Sequence, residues 1–204
     1  MQVTRGFKGR QGDSRATADR VPPGQYVTQD FPVLTSGPTQ RTELASWSLA
    51  LQSEGRLLGR WNWAEFETLP QTERNFDIHC VTKWSKLGTR WRGVNFDDLL
   101  KAAGLTSTPH MYVMAHCDGG YTTNLPVADL MGGKAMIATH FDGQPLPAEH
   151  GGPARLLVPH LYLWKSAKWV RRLVFMETNA PGFWESLGYH IYGDPWREQR
   201  YSGD

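Results

Sequence analysis

The chain has 204 residues, near the upper size of one ordinary domain, and a domain that large buries roughly 70% of its unfolded surface, so a core forms without disulfides or a structural metal. Lysine and arginine nearly cancel aspartate and glutamate, leaving a net charge of +2 with no dense basic stripe, which argues against a nucleic-acid partner. No apolar run approaches the ~20 residues of a membrane helix, and the first twenty residues carry neither an apolar leader nor a twin arginine, so the sequence predicts a cytoplasmic protein without membrane association.

Residues 1–30 are polar and rich in Gly, Arg, Asp and Pro, ending near Val21-Pro22-Pro23-Gly24, and read as a disordered or loosely attached arm; residues 31–204 read as one domain. Alternation from Trp47 to Leu51, then Ser53-Glu54-Gly55 and Arg56-Leu57-Leu58-Gly59, predicts a hairpin. A helical stretch bearing Trp63, Phe66 and Leu69 follows and is stopped by Pro70. Phe76 to Val81 reads as a strand, and Asn95 to Gly104 as a helix with an acidic first turn and a glycine terminator. Further strands are predicted at Met111–Ala115, Ala135–His140, Arg155–Val158 and Val170–Met176, with a helical turn at Pro126–Met131 and a turn at Asp142-Gly143. The tail from Pro181 has no regular period. Short strands with few, dispersed helices predict an α+β fold, a single domain with mixed sheets.

The two cysteines, Cys80 and Cys117, are too few for a disulfide framework and too far apart for a C-x-x-C zinc site. Cys80 lies where a strand gives way to a loop, and Lys83 beside it would favour the thiolate that binds metals. From pattern alone, a buried inert thiol is the commoner reading of such a residue. The segment His150-Gly151-Gly152-Pro153-Ala154-Arg155, followed by Trp164-Lys165-Ser166-Ala167-Lys168-Trp169, offers glycines for close backbone approach, a guanidinium fork, a hydroxyl and a point charge, as a phosphate site would. A glycine-proline loop with solvated cations fits it equally well. Tyr121 to Pro126 places a phenol, two hydroxyls and an amide together, a cluster that is usually a polar turn.

Taken in order, several motifs resemble the molybdopterin-binding domain of the sulfite oxidase family. They are Cys80, Trp91-Arg92-Gly93-Val94 leading into Leu99-Leu100, Tyr121 with Leu125-Pro126, Asp142 to Pro147, His150 to Arg155, and Ser166 to Trp169. The resemblance covers about residues 31–178, and the runs at 181–185 and 188–201 resemble the ending of its stand-alone cytosolic bacterial branch. It implies a molybdenum ion held by a molybdopterin (a pyranopterin dithiolene), with Cys80 as the protein's soft thiolate ligand. It also implies that His150, Arg155, Ser166, Ala167 and Lys168 hold the pterin and its phosphate, that Tyr121 lies near the metal, and that Cys117 stands where a sulfoxide-reducing branch has a pterin-contacting threonine. Lys83 is our own addition to that pocket.

The chain departs from the family after Cys80. Sulfite-oxidising members continue Ala-Gly-Asn-Arg-Arg, whereas this chain has Val81-Thr82-Lys83-Trp84-Ser85. Arginines suit a tetrahedral oxyanion and tryptophan does not, which points away from sulfite and toward an oxide such as a sulfoxide or N-oxide as the small-molecule substrate. With no haem domain in the chain, electrons would pass to or from a separate donor or acceptor protein. The alternatives are a true sulfite oxidase and a non-enzymatic binding module that keeps the fold and uses its aromatic loops for a partner.

Overall fold

The computed structural model describes residues 18–204. In chain order they form β1 (Tyr26–Val27), β2 (Ser48–Ser53), β3 (Arg56–Asn62), α1 (Trp63–Thr68), β4 (Thr72–His79), β5 (Trp84–Asn95), α2 (Phe96–Ala102), β6 (Tyr112–Cys117) and β7 (Thr122–Pro126). Then follow β8 (Met136–Phe141), β9 (Gln144–Pro145), β10 (Arg155–Leu157), β11 (Val170–Met176) and α3 (Phe183–Ser186). The strands make two sheets. One runs β1-β5-β8-β10, with β4 also on β5 and β9 on β8; the other runs β3-β2-β11-β6-β7. Both are mixed, since β1 is parallel to β5 and β11 is parallel to β2, while the remaining pairs are antiparallel.

Local chemistry sets the hairpin and helix ends. The β2–β3 turn is Glu54-Gly55, with φ of 49° and 76°, the double left-handed conformation that matches strand twist. Asn62 caps α1: its side chain accepts from the Glu65 N–H, and the Glu65 carboxylate accepts from the Asn62 N–H. The strand expected at Phe76–Val81 starts earlier, at Thr72, and stops at His79, because Cys80 to Lys83 close a turn in which the Lys83 N–H donates to the Cys80 carbonyl at 3.0 Å.

Period-two alternation distributes the first sheet over two cores. Ile137, Leu156 and Val94 face the second sheet, where they join Leu49, Leu51, Val113, Leu125, Leu173 and Phe175 in the main core. Met136, Ala138, Leu157 and Trp91 point the other way and form a smaller cluster with Ile78, Trp84, Leu146 and Cys80. Phe31 covers that cluster, with ring centroids 6.2 Å from Trp84, 6.1 Å from Trp91 and 5.0 Å from Phe141. Buried on both faces, the first sheet holds Cys80 at the edge of an apolar layer.

Residues 1–17 of the expected arm lie outside the described residues. Residues 18–30 are attached to the domain rather than loose: Arg20 pairs with Asp77 at 2.6 Å, and β1 takes its place beside β5. The Gly-Pro composition there reflects a turn leading into an edge strand.

Candidate active site

Beneath the Phe31 segment lies a cavity of about 270 Å³. It gathers Cys80, Tyr121, His150, Arg155, Ser166, Ala167 and Lys168, seven of the nine residues singled out from sequence. Four stretches supply them: the β4–β5 turn, the residue before β7, the loop into β10 together with that strand's first residue, and the loop between β10 and β11.

Cys80 is buried, and burial raises its thiol pKa. The Thr82 hydroxyl donates to Sγ at 3.2 Å, and the nearby Lys168 ammonium also favours the thiolate. The cation acting on Cys80 is therefore Lys168, from the far side of the cavity. Lys83 sits outside: its backbone has φ of 74°, its side chain is exposed, and it borders a neighbouring cleft. Cys117 does not line the cavity either. Val113, Ala115 and Cys117 alternate along β6 into the main core, and burial drives the Cys117 thiol well above its ordinary pKa.

Arg155 is fully buried, and its guanidinium donates to the carbonyls of His150 at 2.9 Å and Ser166 at 2.5 Å. Desolvation brings its pKa down to about 10. Lys168 Nζ donates to the carbonyls of Glu149 at 2.6 Å and Leu34 at 2.8 Å, and burial together with Arg155 lowers it to about 8. The Ser166 hydroxyl accepts from the Val158 N–H at 2.8 Å, and the Tyr121 hydroxyl donates to the Trp164 carbonyl at 2.6 Å. Burial and the Glu185 carboxylate raise the phenol well above its ordinary value.

Three buried polar atoms of the lining have no hydrogen-bond partner: Arg155 Nε, His150 Nδ1 and Trp84 Nε1. Orphaned groups of this kind suit a ligand rich in heteroatoms. Arg155 and Lys168 add positive charge, as a phosphate would require. The glycines of the His150–Arg155 segment are required by the protein's own packing: a Cβ at Gly151 would come within 2.9 Å of Lys168 Cα, and one at Gly152 within 2.0 Å of the Leu146 carbonyl. They let the protein's own loops close over the cavity. Among the described residues no group of three or more His, Cys, Asp or Glu gathers to hold a metal. A metal at Cys80 would therefore need a cofactor to complete its coordination.

Several lining residues were not singled out from the sequence as candidate ligands, although some lie within its motifs. Phe31 stacks on His150, with centroids 3.8 Å apart and planes 7° apart, and Trp164, Trp169, Trp184 and Tyr189 form much of the remaining wall. Aromatic residues are ordinarily core residues, and only the fold brings these to one place. The cations Arg90 and Arg92 do not line the cavity; both are exposed on β5.

Comparison with known proteins matches residues 36–184 to the oxidoreductase molybdopterin-binding domain. YuiH of Bacillus subtilis, an oxidoreductase of uncharacterized activity, is 43% identical over 97% of this chain and 98% of its own length. YedZ1 of Azospira oryzae, named as a protein-methionine-sulfoxide reductase subunit, is 29% identical over 84% of this chain and 66% of its own. MsrP of Xanthomonas campestris, named as a protein-methionine-sulfoxide reductase catalytic subunit, is 26% identical over 74% of this chain and 51% of its own. The chain thus spans only about half to two thirds of those two subunits. In fold, 69% of it superposes on 40% of the sulfane dehydrogenase SoxCD of Paracoccus pantotrophus, with a TM-score of 0.60 at 20% identity. The mixed-sheet α+β domain expected from sequence is the one observed.

Proposed function

The chain belongs to the oxidoreductase molybdopterin-binding domain family, and from that membership we propose that it reduces a small neutral oxide, a sulfoxide or N-oxide, by two-electron oxygen-atom transfer. For a sulfoxide the balance is one sulfoxide, two electrons and two protons giving one thioether and one water. When bound, the molybdenum cofactor would supply the two-electron change and the exchange of the oxygen atom. The protein's part is to hold and shape. Cys80 gives a soft thiolate to the metal, with the Thr82 hydroxyl and the Lys168 charge favouring its ionised form. Arg155, Lys168 and His150 hold the pterin and its phosphate; Ser166 and Ala167 form the backbone beside them; Tyr121 fixes the Trp164 loop over the cavity.

One observation carries the choice of substrate. Arg155 is the cavity's one guanidinium among the described residues, its two terminal nitrogens are taken by the His150 and Ser166 carbonyls and its remaining Nε is left for the cofactor, while the lining also includes the apolar and aromatic Val81, Trp164, Trp184 and Tyr189. A doubly charged oxyanion finds no open fork there, whereas a neutral oxide with an apolar substituent fits. The names of YedZ1 and MsrP support sulfoxide chemistry, and their description as subunits supports a separate electron partner. No helix among the described residues is long and apolar enough to cross a membrane.

The test is protein made in a host that synthesises molybdopterin. We expect close to one molybdenum per chain, oxidation of a reduced viologen dye by dimethyl sulfoxide or trimethylamine N-oxide, weak sulfite oxidation with ferricyanide, and loss of all turnover in Cys80→Ser. Saturable sulfite oxidation exceeding oxide reduction, or turnover in the serine variant, overturns the reading.

A further inference from the structure

Beside the cavity opens a second cleft of about 720 Å³, and the two share Val81, Thr82 and Tyr189 as a common wall. Distant parts of the chain build it: the turn after Cys80 supplies Lys83, and the C-terminal tail supplies Arg197, Glu198, Arg200 and Asp204. Their charges are unevenly matched. Glu198 takes Arg200 at 2.9 Å, and Asp204 Oδ2 accepts the backbone N–H groups of Arg200 and Tyr201 at 2.8 and 2.6 Å. Among the described residues neither Lys83 nor Arg197 has a carboxylate partner. Two unmatched cations thus border a concave site that adjoins the cavity holding Cys80.

The position of Lys83 is fixed rather than incidental. Its φ of 74° is a left-handed conformation that a side chain seldom adopts. Both of its backbone polar groups are engaged: the N–H donates to the Cys80 carbonyl at 3.0 Å, and the carbonyl accepts from the Tyr26 N–H at 2.9 Å. A turn closed this way holds its first and last Cα atoms within about 7 Å of each other. The Lys83 backbone is therefore held close to that of Cys80, and the β1 strand sets the tether.

We infer that this cleft is a substrate subsite in which Lys83 and Arg197 bind a carboxylate carried by the oxide substrate, while the S–O or N–O group passes Thr82 and Tyr189 to the Cys80 side of the cavity. The inference rests on the oxide-reductase reading above. A guanidinium fork and an ammonium on a flexible stem together suit one carboxylate, and the residues that the cleft shares with the cavity set the two side by side, so that one small molecule can span them. The cleft selects among oxides by their second functional group, leaving the cavity itself apolar. A flat acidic protein surface would meet the same two charges less well, because they lie in a recess.

The test compares (methylsulfinyl)acetate with dimethyl sulfoxide on the holoenzyme under a reduced viologen dye. Wild type should favour the anionic sulfoxide by at least tenfold in kcat/KM, and Lys83→Gln or Arg197→Gln should each lower that ratio about tenfold, mainly through KM of the anionic substrate. Calorimetry with the unreactive (methylsulfonyl)acetate supplies a readout apart from turnover. It should bind saturably to wild type and about tenfold more weakly to Arg197→Gln, with dimethyl sulfone as the neutral control. Oxide reduction with an unchanged ratio in both variants overturns the subsite. So does a ratio left intact while reduction by a protein donor slows, which would assign the cations to an acidic partner. Calorimetric binding that needs both cations, with no oxide reduced, keeps the anion subsite and rejects the oxide-reductase reading.

Discussion

His150 stacks face to face on Phe31, its Nδ1 buried without a partner, between the positive charges of Arg155 and Lys168. Burial first, then those two cations, lower its pKa to about 4. The sign for stability follows. In the unfolded chain a histidine takes up its proton near pH 6.5, while the folded protein resists it down to about 4, so protonation draws the equilibrium toward the unfolded state. His150 thus contributes stability fully above pH 6.5, and that contribution declines as pH falls through 6.5 toward 4. Urea denaturation of cofactor-free protein at pH 7, 5.5 and 4.5 should show a smaller acid loss in His150→Gln than in wild type. Parallel losses in the two would place the acid sensitivity elsewhere. What the sequence revealed at this scale was chemistry: thiol, guanidinium, ammonium and imidazole were recognisable as ligand types, and seven of them or their neighbours do line one cavity. Orientation was not legible. Lys83 leaves the cavity because of a left-handed turn, and Cys117 because it falls on the core-facing side of β6. The second could have been foreseen, since the apolar parity of Val113 and Ala115 extends to it; the first could not.

Among the elements, strands and helices with clean apolar periods were readable, whereas β5, β7 and the tail were not. β5 reads Trp-Ser-Lys-Leu-Gly-Thr-Arg-Trp-Arg-Gly-Val-Asn, which mixes cations and glycines, yet it is the strand that β1, β4 and β8 all pair with. Gly93 belongs there because a Cβ would meet the Ile137 carbonyl at 2.0 Å, where the register shifts against β8. β7, expected to be a polar turn, is a strand whose Thr123 and Asn124 are fully buried. The aperiodic tail covers them. Lys165 Nζ lies 2.6 Å from Glu185 and also donates to Asn124 and to the Ile191 carbonyl, while Glu185 accepts from Thr123 and the Trp164 indole. This buried pair ties α3 to β7. Glu185→Ala should cost about 3–5 kcal/mol by leaving the Lys165 charge buried and unpaired. The double change Lys165→Met with Glu185→Leu should cost less than Glu185→Ala alone, as measured by urea unfolding. A Glu185→Ala loss below about 1 kcal/mol would mean that apolar packing, not the pair, holds the tail.

At the scale of the whole molecule, the cavity has no single structural owner. Its lining comes from residues 31–36, the β4–β5 turn, the loops on either side of β10, and the tail through Trp184 and Tyr189. Several of these segments meet one another through few backbone bonds and rely on side-chain contacts such as Phe31 on His150 and Lys168 to the Leu34 carbonyl. Segments held in this way open at lower free energy than the sheets behind them. A ligand that binds only the closed arrangement adds stability by mass action, about 2.7 kcal/mol at a hundred times its dissociation constant, and adds it where the segments meet. Amide exchange should therefore slow on cofactor binding at residues 31–36, 80–84, 148–152, 163–169 and 184–189, while β2, β6 and β11 in the main core change little. The thermal midpoint should rise with cofactor occupancy. Slowed exchange confined to residues 148–168 would show that the phosphate-end groups bind the cofactor alone and that the Phe31 segment and the tail are a fixed shell, closed whether or not the cofactor is bound.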